Sequence, residues 1–545
     1  MKFNYLIKLV PRTQVQSVQQ VLTGHQLTTK SFHSSSSNAT TAIPTASTEG
    51  RPITECPRGK FLETLFGFLV GGKYYKKDPN QFLRILLSEK GDTVYVPGSL
   101  GKPNMFITQN PDDFETIFRN EDAWPERQGL DLMNYHRNVL RKDYFEGQSG
   151  LLTTQGKAWA DFRTMVNPIL VHPKNVKMYL SAISRVNQEF IERIKEIRDP
   201  VTLEVPANFK DEISNWTLES VSVVALDRQL GLIGGKNPDA LRISQDFLKF
   251  FEISMDMEMK PSLWRYLPNR KFDQVMALLD NIIVMTEKYV NEAMERIENS
   301  SVEKPENEQG VLEKLLKINK KVAKIMVMDM LLAGVDTTTS TFTGLLLCLA
   351  KNPEKQAKLR EEILKILPQK NSALTVENMK NLPYLRACMK ESLRVYPLTS
   401  GNIRTIHKDL QLSGYNVPKG TDVLMLFLNL QEDEKHFSNP KEFIPERWLR
   451  QPKELPAAAA TESTPNDKCP HASKSSNPFV YLPFGFGVRS CIGRRIAEME
   501  MEIGIVRIIR NFQLEFNYST ENAFRSVQIN IPAIPLKFKF SDLPY

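Results

Sequence analysis

The ten residues Phe484-Gly-Phe-Gly-Val-Arg-Ser-Cys-Ile-Gly493 constrain this chain more than any other stretch. Glycines on both sides of Cys491 let the backbone pass close to a bound group, because no β-carbon stands in the way. After Cys491 the chain turns helical, with Ile496, Met499, Ile503 and Val506 on one face, so the sulfur sits just ahead of a helix N-terminus. Backbone N–H groups at such a terminus favour the thiolate over the thiol. Arg489 adds a cation able to pair with a carboxylate, and Phe484 can screen the sulfur from water. A dinucleotide-binding loop does not fit, since the third glycine position after Gly485-x-Gly487 holds Ser490.

Periodicity supplies the frame. Apolar residues three or four apart predict helices over Met178–Ile197, Ala240–Met255, Phe272–Ile297, Lys324–Leu349, Pro353–Leu367 and Tyr384–Tyr396. Val94–Val96 with Met105–Thr108 predicts a hairpin, and Leu410–Leu412 with Asp422–Leu426 flanks a turn at Gly414–Gly420. Val527–Ile531 and Leu536–Phe540 alternate around Pro532 and Pro535. The expected class is mainly α with small β-sheets. No run of about 18 apolar residues predicts a membrane span.

The segment Phe484–Gly493 resembles the haem-binding signature of cytochromes P450, F-G-x-G-x-R-x-C-x-G, at every fixed position. The resemblance implies the P450 fold, haem b as cofactor, Cys491 as the iron ligand, and Phe484 and Arg489 beside it. Other segments are similar to the same family. Trp159 and Arg163, one helical turn apart, match its W-x-x-x-R pair, which implies a hold on a haem propionate, as does Arg404. Ala333-Gly-Val-Asp-Thr-Thr338 resembles its oxygen-activation motif, which implies Thr337 and Asp336 as a proton relay; the glycine predicts a local opening of that helix. Glu391 and Arg394, with Arg447 in Phe443–Trp448, resemble the family's Glu-Arg-Arg network, a structural role. Leu345–Pro353, Asn477–Val480 and Glu521–Arg525 are closest to insect mitochondrial P450s.

Charge and composition bear on compartment and partners. Four of the formal net +8 charges, Lys2, Lys8, Arg12 and Lys30, precede the first acidic residue, Glu49. The acid-free, Ser/Thr-rich start reads as a mitochondrial transit peptide over 1–35 with a linker over 36–55. A P450 catalytic domain is expected over 56–545, with an exposed Ala/Ser/Pro-rich loop at 451–477. The remaining charge is too mild for nucleic-acid binding. Cys56, Cys348, Cys388, Cys469 and Cys491 show no C-x-x-C pair, so neither a disulfide framework nor a zinc cage is expected.

Lacking a flavin or dinucleotide loop, such an enzyme would draw NADPH electrons from a mitochondrial adrenodoxin-like ferredoxin and its reductase. Arg386, Lys390, Arg494 and Arg495 are expected to form a basic docking face for it. The expected reaction is insertion of one oxygen atom from O2 into lipophilic substrates, xenobiotics first, on the matrix side or peripherally on the inner membrane. An ecdysteroid or other steroid hydroxylase, a peroxide-rearranging P450 and a haem-thiolate sensor without turnover are the alternatives. Trp124–Leu152, Leu241–Met255 and Ser526–Ile531 are expected to face substrate.

Overall fold

The computed structural model describes residues 50–544, apart from 100, 236, 260, 261, 300–303 and 450–476. The expected transit peptide and nearly all of the expected loop at 451–477 lie outside the described residues. Residues 50–545 form one compact unit. Its first strand, β1 (Arg51–Pro52), already lies in the stretch expected to be linker.

The centre of the molecule is the helix Lys320–Lys351. Asn319 starts it, its side chain accepting from the Lys321 and Val322 N–H groups, and Asn352 followed by Pro353 ends it. Among the described residues it is the one helix long and apolar enough to cross a membrane, but 78% of its apolar window is buried within the protein. It is therefore a core helix wrapped by others. The helix Phe209–Leu226, buried over most of its circumference, packs along it: Trp216 meets Phe342 at 4.4 Å between ring centroids. Gly504, on the helix Arg494–Asn511, lets those two rings approach, since a β-carbon there would stand 2.9 Å from Phe342 and 3.0 Å from Trp216.

Among the described residues, four small sheets border this helical mass. β2 (Thr93–Val96) pairs antiparallel with β3 (Met105–Thr108), as expected. β3 then pairs in parallel with β7 (Asp422–Leu426), and β4 (Gly401–Thr405) closes the order β2-β3-β7-β4. One expected pairing differs. β5 (Leu410–Leu412) joins β6 (Tyr415–Val417) rather than flanking a long turn with β7, because Ser413 and Gly414 are both left-handed, at φ 46° and 80°, and close a two-residue hairpin. β1 extends that pair. Near the C-terminus, β9 (Phe524–Val527) turns at Gln528, φ 70°, into β10 (Ile529–Pro532), whereas β11 (Lys539–Asp542) returns to β8 (Phe512–Glu515).

Candidate active site

The cysteine loop has the backbone its glycines predict. Gly485 and Gly487 are left-handed at φ 72° and 69°, a conformation that disfavours any β-carbon. The Cys491 N–H donates to the Phe484 carbonyl at 2.9 Å, and Gly493 caps the helix Arg494–Asn511. Cys491 is exposed, yet the protein surrounds it so closely that burial pushes its thiol up. The Gly493 and Arg494 amides and the Arg163 and Arg127 guanidiniums pull it down. A side chain both accessible and enclosed opens onto an internal space. The Phe484 ring is half-buried and carries the Arg494 guanidinium at 5.1 Å.

Four guanidiniums gather near this loop. Arg163 donates to the Ser490 carbonyl at 3.0 Å, and its Nε is buried without a partner. Arg489 lies 3.8 Å over the buried Trp159 ring and donates to the Pro125 carbonyl and Gln155 Oε1 at 2.9 and 2.7 Å; its Nη1 is buried without a partner. Arg404 pairs with Glu121 and reaches the Phe486 carbonyl at 3.4 Å. Arg127 makes no side-chain hydrogen bond or ion pair with a described residue. Burial first, then the neighbouring arginines, lowers Arg489 to about 9, and burial likewise lowers Arg127 and Arg163. Enclosed cations with unsatisfied donors are costly unless an anion joins them. Haem b, with two propionates and an iron that accepts a thiolate, is a group these residues fit.

Arg127 is absent from the sequence-derived set. Its position comes from long-range pairing: the Thr405 N–H donates to the Glu126 carbonyl at 3.1 Å, and Gln155 exchanges hydrogen bonds with the Arg127 backbone. An isolated bridge at Glu126 has no periodicity to reveal this.

On the long helix, Asp336 is buried and its Oδ2 has no partner. Burial pushes it up to about 6, with Glu252 adding to the rise and Lys210 opposing it. The Thr337 hydroxyl donates to the Ala333 carbonyl at 2.7 Å. The expected local opening does not occur: the helix is unbroken through this motif. Gly334 instead serves packing, since a β-carbon there would meet Val221 at 3.0 Å.

Glu391, Arg394 and Arg447 form the expected buried network. Glu391 bridges Arg394 at 2.8 Å and Arg447 at 3.0 Å, and accepts from Trp448 Nε1 at 2.8 Å and the Ile444 N–H at 3.0 Å. Arg394 reaches the Gln431, Pro440 and Glu442 carbonyls. Trp448 packs on Tyr481, 4.6 Å between centroids, and Tyr481 donates to the Lys390 carbonyl at 2.9 Å, so the network abuts the chain entering the cysteine loop. The expected basic face is partly neutralised: Arg386 pairs with Glu502 and Arg494 with Glu498. Lys390 and Arg495 are exposed and have no carboxylate partner among the described residues.

Comparison with known proteins agrees with this geometry. The family model described as Cytochrome P450 matches residues 57–540. The chain is 56% identical over 501 residues to cytochrome P450 CYP12A2 of Musca domestica, covering 91% of this chain and 92% of that one. It is 52% identical over 528 residues to the Drosophila melanogaster protein named "Probable cytochrome P450 12a5, mitochondrial", covering 94% and 96%. Among solved structures it resembles retinoic acid bound cyanobacterial CYP120A1, with a TM-score of 0.66 at 20% identity, covering 86% of this chain and 96% of that one, a likeness of fold. The chain therefore belongs to the cytochrome P450 family, as a haem-dependent monooxygenase of the mitochondrial CYP12 group.

Proposed function

We propose that the enzyme inserts one oxygen atom from O2 into lipophilic substrates, xenobiotics first, with NADPH electrons delivered by ferredoxin reductase and ferredoxin. In this reading Cys491 holds the haem iron, and Arg127, Arg163, Arg404, Arg489 and Trp159 hold the propionates, with Phe484 screening the sulfur. The bound haem supplies the activation of dioxygen. The chain supplies protons: Asp336 can carry one near neutral pH, and the Thr337 hydroxyl beside it in sequence can pass it on. The observation that carries the reading is the cluster of guanidiniums, two of them with buried unpartnered nitrogens, around a cysteine poised at a helix N-terminus.

Lys390 and Arg495 support an acidic electron donor, since exposed cations free of carboxylate partners steer such a protein to the cysteine side. Peripheral membrane association is supported by the helix Phe61–Phe68 and its continuation, where Leu62, Phe66, Leu69 and Val70 are 61%, 62%, 53% and 84% exposed.

Reconstitution tests the whole reading. With NADPH, ferredoxin reductase and ferredoxin, the protein should oxygenate small lipophilic toxins that also shift its haem spin state. Turnover supported only by a flavoprotein reductase would overturn the electron route. Spin-state shifts given by ecdysteroids alone would replace the xenobiotic substrate with a hormone.

A further inference from the structure

The strand β4 brings two polar side chains to the cysteine loop. Asn402 and Arg404 lie two residues apart, opposite Met425 and Val423 of β7, so they share one face of the sheet. Both meet the loop. The Asn402 amide oxygen stands 3.5 Å from where a β-carbon on Gly485 would lie, and Arg404 Nη2 donates to the Phe486 carbonyl at 3.4 Å.

The donors of these two side chains are not equally committed. Each Arg404 nitrogen already has an acceptor: Nε donates to Glu121, Nη1 to the Ile403 carbonyl at 2.9 Å, and Nη2 to the Phe486 carbonyl. The Glu121 carboxylate meets the guanidinium charge, and both side chains are largely buried. Asn402 Nδ2, in contrast, is buried and has no partner among the described residues. An amide nitrogen carries two N–H donors, and leaving them unbonded away from water costs free energy.

Arg163 Nε and Arg489 Nη1 are in the same condition and stand at the same loop, since Arg163 donates to the Ser490 carbonyl and Arg489 is the residue before it. Three unpartnered donors from three segments therefore border Gly485–Ser490, and one of them is uncharged. A carboxylate suits such a set. It has two oxygens with several acceptor positions and no donor of its own.

We propose that Asn402 is a haem-binding residue: its Nδ2–H donates to a propionate carboxylate, while Arg404, tied to Glu121 and to the loop, contributes its charge. This rests on the reading that the propionates lie among these arginines. A neutral donor fixes the carboxylate without adding a fifth positive charge to Arg127, Arg163, Arg404 and Arg489. It also braces that carboxylate against Gly485, at the entry to the cysteine loop.

The test compares the full chain loaded with haem in three forms. Asn402→Leu keeps the branched shape and loses the donors, and Asn402→Asp replaces the donors with a negative charge. Transfer of haem to excess apomyoglobin reads retention, and the propionate-bending band of the resonance Raman spectrum reads the hydrogen bond itself. Asn402→Leu should lose haem about tenfold faster than wild type, the change expected for one hydrogen bond to a charged group, with the propionate band moved to lower frequency. Asn402→Asp should lose it faster than Asn402→Leu, because two carboxylates then face each other. The carbon monoxide complex reports the iron ligand separately and should be the same in all three proteins. Absence of the thiolate band from all three would count against Cys491, and the Raman comparison would still decide the role of Asn402. An Asn402→Leu protein with wild-type haem loss and an unmoved propionate band would overturn the proposal. So would faster loss with an unmoved band, which would make Asn402 a support for Gly485 that touches no carboxylate.

Discussion

At the scale of single residues, the relay and the cation cluster make separate predictions. Thr337→Ala removes the hydroxyl that now bonds the Ala333 carbonyl; product formation should fall by about a hundredfold while NADPH electrons appear as hydrogen peroxide. Unchanged coupling of NADPH to product would remove Thr337 from the relay. Asp336 predicts a cost to stability. Its folded value near 6 lies above the usual unfolded value of about 3.9, so the folded state binds the extra proton between these values and stability declines as pH rises through that window. Asp336→Asn should therefore be more stable than wild type at neutral pH, by about 3 kcal/mol at most, and the advantage should shrink as pH falls below 6; denaturant titration at two pH values reads it. Cys491, Arg489, Trp159 and Arg163 were legible in the sequence because fixed spacing along one loop or one helical turn brings them together. Arg127 was not, because a hydrogen bond between residues 126 and 405 places it.

At the scale of elements, the helices were legible and part of the strand pairing was not. A 32-residue helix announces itself by its apolar spacing, but which strand pairs with which is decided by left-handed turn residues, Ser413 with Gly414 in one hairpin and Gln528 in another, and neither Ser413 nor Gln528 is a residue type that marks such a turn. The helix Pro383–Val395 carries Glu391 and Arg394 into a fully buried network with Arg447. Glu391→Ala strands two buried guanidiniums and should cost about 3–5 kcal/mol, seen as a lower denaturation midpoint and easier loss of haem. The same helix presents Lys390 outward, and the helix Arg494–Asn511 presents Arg495. Reversing Lys390 and Arg495 to Glu should slow ferredoxin-supported turnover by about tenfold at low salt, whereas reversing Arg386 alone, already neutralised by Glu502, should do less. Equal effects would mean that the partner does not read the free cations. Sequence alone counted all four basic residues alike, since it could not show which had found a glutamate.

At the scale of the whole molecule, one helical core bordered by small sheets holds a cysteine loop, a cluster of arginines and a buried carboxyl in a single compact unit from Gly50 onward. The family was legible from ten residues; the balance of charge around them required the fold. The mitochondrial relatives describe where the enzyme works, and the iron ligand carries its chemistry. Reduced with dithionite and exposed to carbon monoxide, the purified haem-loaded protein should show the red-shifted Soret band of a thiolate-bound iron, and Cys491→Ala should lose that band. A Cys491→Ala protein that keeps it would contradict the assignment.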